Sequence, residues 1–213
     1  MKYKFFTVIL FLIPFLSNAQ EAEKSIQLGF TLAPNVAWLQ NIDSNSSYSS
    51  DGSQPGLAYG VLADLSFAKN YFFSTAFTVT TVNSKATLSS GTTKTSEKYK
   101  LQYIEIPLTL KLKSNASNTA RFYGQFGLGT GINISAKKDI ASTTTTSGKN
   151  ISIGSDINTF RLSLIAGGGA EWVASKNLHV LTGVTWNNGF TNMSNKVSNG
   201  RNSYVALNLG VYF

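Results

Sequence analysis

Seven ionisable side chains are candidates for chemistry because each lies within a segment of alternating apolar and polar residues. They are Asp64, Glu105, Lys111, Arg121, Arg161, Glu171 and His179. Side chains of these types can serve acid–base chemistry, bind a metal or form ion pairs. A zinc site is not expected, because the sequence has one histidine and no cysteine. No nucleophile-elbow pattern is present, so the sequence predicts no enzyme, no metal and no cofactor.

The segments that carry these residues alternate with a period of two, which is typical of β-strands. In the C-terminal stretch, Val205, Leu207, Leu209, Val211 and Phe213 share one face, and mostly polar or small residues share the other. Eight stretches show this pattern: 26–38, 57–67, 71–87, 99–113, 120–136, 159–173, 178–190 and 204–213. The sequence therefore predicts an all-β fold of eight strands.

The connections between these segments alternate in length. Residues 68–70, 114–119 and 174–177 are short turns, whereas 39–56, 88–98, 137–158 and 191–202 are long, polar and rich in Ser, Thr, Asn and Gly. In an up-and-down antiparallel array, long and short connections then fall at opposite ends, as in outer-membrane barrels. The short turns and both termini are predicted to be periplasmic, and the long loops external.

Charge separates the two faces of the predicted strands. One face is almost free of charge in every segment, and all seven ionisable residues lie on the other. The uncharged Phe, Leu, Ile, Val and Trp side chains would overfill the lumen of an eight-stranded barrel, so they are predicted to face lipid. After Gln20 no apolar run approaches the ~20 residues of a membrane helix. A closed barrel is the remaining structure that spans a bilayer. We expect an eight-stranded antiparallel up-and-down transmembrane β-barrel.

The first residues resemble a secretory signal. Lys2 and Lys4 precede the apolar run 5–16, and Ser17-Asn18-Ala19 supplies small residues before Gln20. We expect a signal peptide over 1–19 and a barrel domain over 20–213. An uncleaved anchor helix is the alternative, although the run is short for one. Export argues against a nucleic-acid partner, despite a net charge of +8.

The ionisable face predicts a charged interior. Asp64, Lys111, Arg121, Glu171 and His179 are expected to gather near the short-turn end as a belt of opposite charges. Such a belt fills the lumen and fixes strand register; the alternative is a path for protons or ions. The corresponding functions are a structural or interaction barrel and, alternatively, a narrow channel for ions or small solutes. An outer-membrane enzyme is the third alternative, and the sequence offers no matched triad for it.

Pro107 falls in the middle of a predicted strand. Proline has no N–H to give to a sheet, so it predicts a bulge or a strained crossing. Glu105, on the interior face two residues earlier, is expected to accept freed backbone donors or to pair with a basic neighbour.

Two stretches resemble known patterns. Tyr103-Ile104-Glu105-Ile106-Pro107-Leu108, followed by Leu110-Lys111, resembles the Tyr-x-Glu-Ile-Pro-Leu segment of the PorT-like outer-membrane β-barrel family of Bacteroidetes. The alternation ending at Phe213 resembles the C-terminal signature that such proteins present to the barrel-assembly machinery. The resemblance implies an outer-membrane barrel without catalytic residues. Its partners would be outer-membrane lipid, the assembly machinery and an envelope or extracellular protein or glycan that binds the loops. A role in type IX secretion is not carried over.

Overall fold

A computed structural model describes residues 26–40, 48–90, 93–115, 117, 119–142, 147–194 and 200–213. The predicted signal peptide, 1–19, lies outside the described residues. Within those ranges, no helix has both the length and the apolar character needed to cross a membrane.

Nine strands make up almost all of the described chain. They are β1 Ile26–Gln40, β2 Tyr48–Ala68, β3 Tyr71–Ser90, β4 Thr93–Lys113, β5 Ala120–Ser142, β6 Gly148–Ser152, β7 Phe160–Ser175, β8 Leu178–Gly189 and β9 Arg201–Tyr212. A single 3-10 turn, Gly154–Asp156, lies between β6 and β7. Every pairing between neighbouring strands is antiparallel.

Eight of the strands close into a ring. β1 pairs with both β2 and β9, and β4 pairs with both β3 and β5, so the sheet has no free edge along the ring. Strand β6 is outside the ring and pairs with β5 alone. The predicted eight-stranded antiparallel barrel is confirmed, with β6 as an addition that the sequence pattern did not indicate.

Strand length differs strongly around the ring. β8 and β9 have 12 residues each, whereas β2 to β5 have 20 to 23. A membrane-spanning strand needs about 9–11 residues, so β2 to β5 continue well past the bilayer. We call the part of β2 to β5 made of 48–56, 82–90, 93–102 and 135–142, together with β6, the raised sheet. It lies at the end of the barrel opposite the short turns, which we call the long-strand end.

The raised sheet corrects the predicted loops. Much of 39–56, 88–98 and 137–158 is strand, and β3 and β4 are separated by just two residues, 91 and 92. The sequence pattern missed these strands because Ser, Thr, Asn and Lys occupy both faces there, and alternation is visible only where one face is apolar.

The outer surface of the ring carries a band of exposed apolar side chains. It includes Phe30, Leu32, Val61, Phe77, Leu108, Phe122, Phe126, Leu128, Ile132, Val184 and Leu207. Phe122 is 66% exposed and Phe126 61%. A contiguous apolar exterior of this extent is suited to lipid, because a water-soluble protein would bury it. The predicted assignment of faces is the observed one.

The predicted bulge at Pro107 is wrong. Pro107 pairs with Gly129 on β5 within an unbroken register, and β3 keeps one register on both sides of it. The Thr75 hydroxyl donates to the Pro107 carbonyl at 2.8 Å, which ties β3 to β4 where the ladder is interrupted. The bulge lies elsewhere, where Gln102 pairs with Ser135 and Tyr103 with Asn133. Ile134 is therefore the extra residue.

Candidate functional site: the filled lumen

A network of buried charges lies inside the ring near the short turns. Lys111 Nζ donates to Asp64 at 3.0 and 2.9 Å and to the Tyr212 hydroxyl at 3.0 Å. Lys113 Nζ lies 2.9 Å from Asp64 Oδ2 and 3.0 Å from Glu171 Oε2. We call Asp64, Lys111, Lys113, Glu171 and Tyr212 the short-end cluster.

The short-end cluster contains equal numbers of opposite charges. Two carboxylates face two ammonium groups, and all four side chains are at most 2% exposed. The hydroxyl of Ser74 also donates to Asp64, at 2.5 Å. Burying one of these charges without its partners would cost several kcal/mol, on the order of 3–5. The four charges are therefore stable as a set, and they connect β2, β4 and β7.

The structure brings together three of the five residues expected in the charge belt. Asp64, Lys111 and Glu171 come together, but Arg121 and His179 are half-buried and make no ion pair in the described chain. Arg121 donates instead to the Ser114 carbonyl at 3.3 Å. Both are second residues of their strands, β5 and β8, and therefore lie near the rim of the barrel.

The prediction does not include Lys113, although its position in the alternating pattern indicates the inward face. It lies two residues after Lys111 and so on the same face of β4, and its side chain is completely buried. Lys113 is the last residue of its segment, and the predicted charges are those in the middle of the segments. Lys113 pairs in register with Tyr123, three residues after the start of β5, so it lies within the barrel wall. Its Nζ also donates to Gln27 at 2.6 Å and lies 4.1 Å from the Phe72 ring centroid.

A second polar group, the middle cluster, lies higher in the lumen and consists of Glu105, Arg161, Asn187 and Tyr204. Arg161 Nη1 donates to Glu105 Oε1 at 2.8 Å, and Nη2 donates to Asn187 Oδ1 at 2.6 Å. The Tyr204 hydroxyl donates to Glu105 Oε2 at 2.8 Å and accepts from Asn187 at 3.0 Å. Two roles were predicted for Glu105, and the structure shows the second: it pairs with a basic neighbour, Arg161.

A small cavity separates the two polar clusters. Its volume is about 110 Å³, and Thr78, Glu105, Thr109, Lys111 and Asn208 are among its lining residues. Its lining combines hydroxyl, carboxylate and ammonium groups with apolar side chains such as Leu62, Ile165 and Leu181. The cavity is bounded by the short-end cluster on one side and the middle cluster on the other.

Apolar side chains fill the lumen at the long-strand end. Leu39, Leu101, Ile153, Ile157 and Met193 belong to one buried cluster, which we call the apolar plug. Residues 153–157 and 193–194 are folded across the opening, where Ile157 pairs with Ser194 and Asn158 N–H donates to the Met193 carbonyl at 3.0 Å. Parts of the predicted loops 137–158 and 191–202 therefore close the lumen instead of extending into solvent.

The chemistry available in the lumen is that of ion pairs and hydrogen bonds. In the described ranges, no three His, Cys, Asp or Glu side chains are grouped so as to hold a metal ion. The short-end cluster, the middle cluster and the apolar plug form three successive layers that connect strands from around the ring. This arrangement fixes the register of the strands and fills the interior.

The raised sheet has its own ion pairs, outside the barrel interior. Lys85 Nζ lies 2.8 Å from Asp51, and Lys100 Nζ lies 2.6 Å from Asp139. Asp139 also accepts the backbone N–H of Asn150 at 2.7 Å. The bond from Lys100 and the bond from Asn150 hold the pKa of Asp139 below its ordinary value of 3.8.

An apolar exterior, a closed ring of eight strands and an interior of paired charges define a transmembrane β-barrel. A sequence profile of the outer membrane protein beta-barrel domain matches residues 18–208 of this chain. The protein belongs to that family and resides in the outer membrane.

Solved barrels resemble it at low sequence identity. Neisserial surface protein A is 14% identical, with 88% of this chain and 95% of that chain covered and a TM-score of 0.49. Ail of Yersinia pestis, in complex with the heparin analogue sucrose octasulfate, is 13% identical, with 90% and 100% covered and a TM-score of 0.40. OprG of Pseudomonas aeruginosa is 10% identical, with 88% and 93% covered and a TM-score of 0.42. No curated protein sequence matches the chain.

Proposed function

We propose that this protein is a closed, non-conducting barrel that anchors the raised sheet in the outer membrane as a surface for interactions. The observation that carries the proposal is the filled lumen: the short-end cluster, the middle cluster and the apolar plug occupy the interior, and the cavity between the two polar clusters has a volume of only about 110 Å³. The role is structural, and the proposal assigns no catalytic activity.

A narrow channel is the competing function, and conductance separates the two. Purified protein is inserted into planar bilayers, and insertion is verified by heat-modifiable gel mobility of the same sample. We expect no steady single-channel steps, because an ion would have to displace buried ion pairs and then cross an apolar layer. Steady steps from the folded wild-type barrel would contradict the proposal.

An opening variant shows that the measurement can detect a pore. Lys113→Ala, Tyr204→Ala and Leu101→Ala together remove large side chains from both polar clusters and from the apolar plug. Leu207→Ala, Leu209→Ala and Val211→Ala together remove side chains from the lipid-facing surface of β9 and serve as the matched control. We expect current steps from the first variant and none from the second, provided that both still show the folded mobility.

We also propose that the raised sheet faces the outside of the cell. The support is its length, since barrels of this kind have short periplasmic turns and longer external parts. Because the chain has no cysteine, single-cysteine variants report orientation directly. Thr87→Cys on the raised sheet should react with a membrane-impermeant maleimide in intact cells, whereas Lys69→Cys in a short turn should react only after permeabilisation. The reverse pattern would contradict this orientation.

Membership of the PorT-like group of Bacteroidetes is a finer proposal, supported by the segment from Tyr103 to Leu108. The barrel-assembly machinery, outer-membrane lipid and an envelope or extracellular protein or glycan are the proposed partners. A phylogeny that groups the chain with other outer-membrane barrels, away from PorT-like sequences, would contradict the assignment.

A further inference from the structure

The outward face of the raised sheet is a direct continuation of the lipid-facing surface. On β4, Leu112, Leu110, Leu108, Ile106 and Ile104 point outward, and the same face continues through Gln102 to Lys100 and Lys98. The intervening residues Leu101, Tyr99 and Glu97 are buried on the inside. The surface therefore changes from apolar to basic along a single row of one strand.

The position of this change along the strand corresponds to a bilayer surface. From Leu112 to Lys100 the strand covers about 40 Å at ~3.3 Å per residue. A tilt of about 40° reduces this to about 30 Å along the membrane normal, and the apolar band of such barrels is about 25 Å tall. Lys100 and Lys98 thus lie just beyond the hydrocarbon, at the level of lipid headgroups.

The bulge at Ile134 brings a lysine of β5 to the same face. Without the extra residue, Lys137 would continue on the inside of the barrel. With it, Lys100 pairs directly with Lys137, which is exposed. Lys138 then points inward and pairs with Glu97 at 3.0 Å. The bulge re-aims one lysine toward the outer surface at the membrane level.

The positive charges on the raised sheet exceed its negative charges. The raised sheet contains seven lysines and three carboxylates. Lys85 and Lys100 are paired with Asp51 and Asp139. Within the described ranges, Lys98, Lys137 and Lys149 make no ion pair.

A groove on this sheet gathers several of the lysines. It has a volume of about 540 Å³, and Lys85, Lys98 and Lys149 line it together with Asp139 and the apolar Ile140 and Ala141. Lys149 makes no ion pair among the described residues, and Lys98 interacts with Asp139, its neighbour across the strands, only beyond salt-bridge distance. A groove that is basic, partly apolar and continuous with the lipid surface suits an anionic lipid headgroup.

We propose that the groove of Lys85, Lys98 and Lys149 binds the phosphate groups of an outer-leaflet glycolipid of the lipid A class. The lysines supply the charge that phosphomonoesters require, and the apolar band below them contacts the acyl chains. Lys137 and Lys100 extend the same basic level along the sheet. The proposal rests on the outward orientation of the raised sheet, but its test does not.

The test measures lipid binding in detergent. The protein in dodecyl maltoside micelles is titrated with bisphosphorylated lipid A and with the same lipid after dephosphorylation, and affinity is followed by thermophoresis at low and high salt. We expect at least about tenfold tighter binding of the phosphorylated form at low salt and a smaller difference at high salt. Equal affinity for the two lipids would overturn the proposal.

Variants locate the binding. Lys98→Gln with Lys149→Gln should weaken binding of phosphorylated lipid A by about fivefold per lysine. Lys69→Gln with Lys176→Gln removes the same charge from the exposed short turns and should change affinity less than about twofold. Equal losses in both double variants would overturn the proposal. The proposal would also be overturned if binding of a soluble polyanion, such as dextran sulfate, depended on Lys98 and Lys149 while binding of lipid A did not. Neither result bears on conductance, so this proposal and the closed lumen fail separately.

Discussion

Arg161 and Glu105 form an ion pair of 2.8 Å that passes over a strand lying between them. Glu105 belongs to β4 and Arg161 to β7, and both are paired in register with Gly131 of β5. A Cβ on Gly131 would lie 3.3 Å from Glu105 Cγ and 3.6 Å from Arg161 Cβ. The glycine therefore leaves the space in which two side chains from non-adjacent strands meet.

Breaking this pair should destabilise the barrel. Arg161→Met leaves the buried Glu105 carboxylate without its cation, at a cost of about 3–5 kcal/mol. The free energy of unfolding is measured by urea titration in lipid vesicles. Arg161→Met combined with Glu105→Leu should recover part of the loss, because neither charge then remains. A double variant that is less stable than Arg161→Met would contradict this account.

Filling the space at Gly131 should also destabilise the barrel. Gly131→Leu forces the Glu105 and Arg161 side chains apart, and overpacking of this kind costs about 1–3 kcal/mol. The matched control is Gly124→Leu on the same strand, where an added Cβ meets no atom within 4 Å. Unfolding in vesicles should separate the two variants clearly. If they were equally stable, Gly131 would have no special place beneath the ion pair.

Lys113 should be as important as the more obvious Lys111. Lys113→Met leaves Asp64 and Glu171 with a single buried cation, so we expect a loss on the order of 3–5 kcal/mol. Lys113→Met with Glu171→Gln restores equal numbers of charges and should be the more stable of the two. Lys176→Met in a short turn is the exposed control, with an expected change within about 0.5 kcal/mol. Heat-modifiable mobility against temperature ranks all three.

The strands that cross the membrane could be predicted from sequence because lipid enforces a strict rule. Every second residue of β9 from Val205 to Val211 must be apolar to face hydrocarbon, and the intervening residues face the lumen. The same rule predicts that ionisable residues such as Asp64 and Glu171 lie on the inward faces of their strands. The rule does not apply where a strand extends beyond the lipid. The raised sheet therefore has no apolar alternation, and its sequence predicts loops.

The composition of the lumen was harder to predict than its outline. The apolar plug depends on Ile153, Ile157 and Met193, which come from connections whose local sequence is mainly polar. These residues are buried because the connections fold across the opening. That folding depends on contacts between residues far apart in the chain, which leave no periodic pattern in the sequence. The bulge at Ile134 was not predictable for a similar reason. A single inserted residue exchanges the inward and outward faces of β5 beyond it, but it leaves the apolar pattern before it unchanged.

Docking of β6 should depend on pH through Asp139. The pKa of Asp139 is lowered by its bonds to Lys100 and to the Asn150 N–H. Since the folded-state pKa lies below the unfolded value, the stabilisation is complete at neutral pH and is lost as the pH falls from about 3.8 through the folded-state pKa. The protection factor of the Asn150 amide, measured by NMR in nanodiscs, should therefore be lower well below pH 3.8 than at neutral pH.

Asp139→Asn supplies the control for this pH dependence. The amide cannot titrate, so Asn150 should be weakly protected at every pH in this variant. Protection that decreased equally in the variant and the wild type would assign the effect to another group.

The seam between β1 and β9 joins the two strands of the ring that are furthest apart in the chain, and the Phe213 N–H donates to the Leu28 carbonyl at 2.9 Å. Until this seam forms, two rows of backbone groups have no partners, and hydrocarbon cannot hydrate them. Membrane entry and completion of the cylinder must therefore advance together, and nearly the whole polypeptide has to be delivered before either can finish. Once shut, the wall can come apart only by rupturing a complete row of hydrogen bonds in a solvent that offers no replacement, which makes the assembled state long-lived.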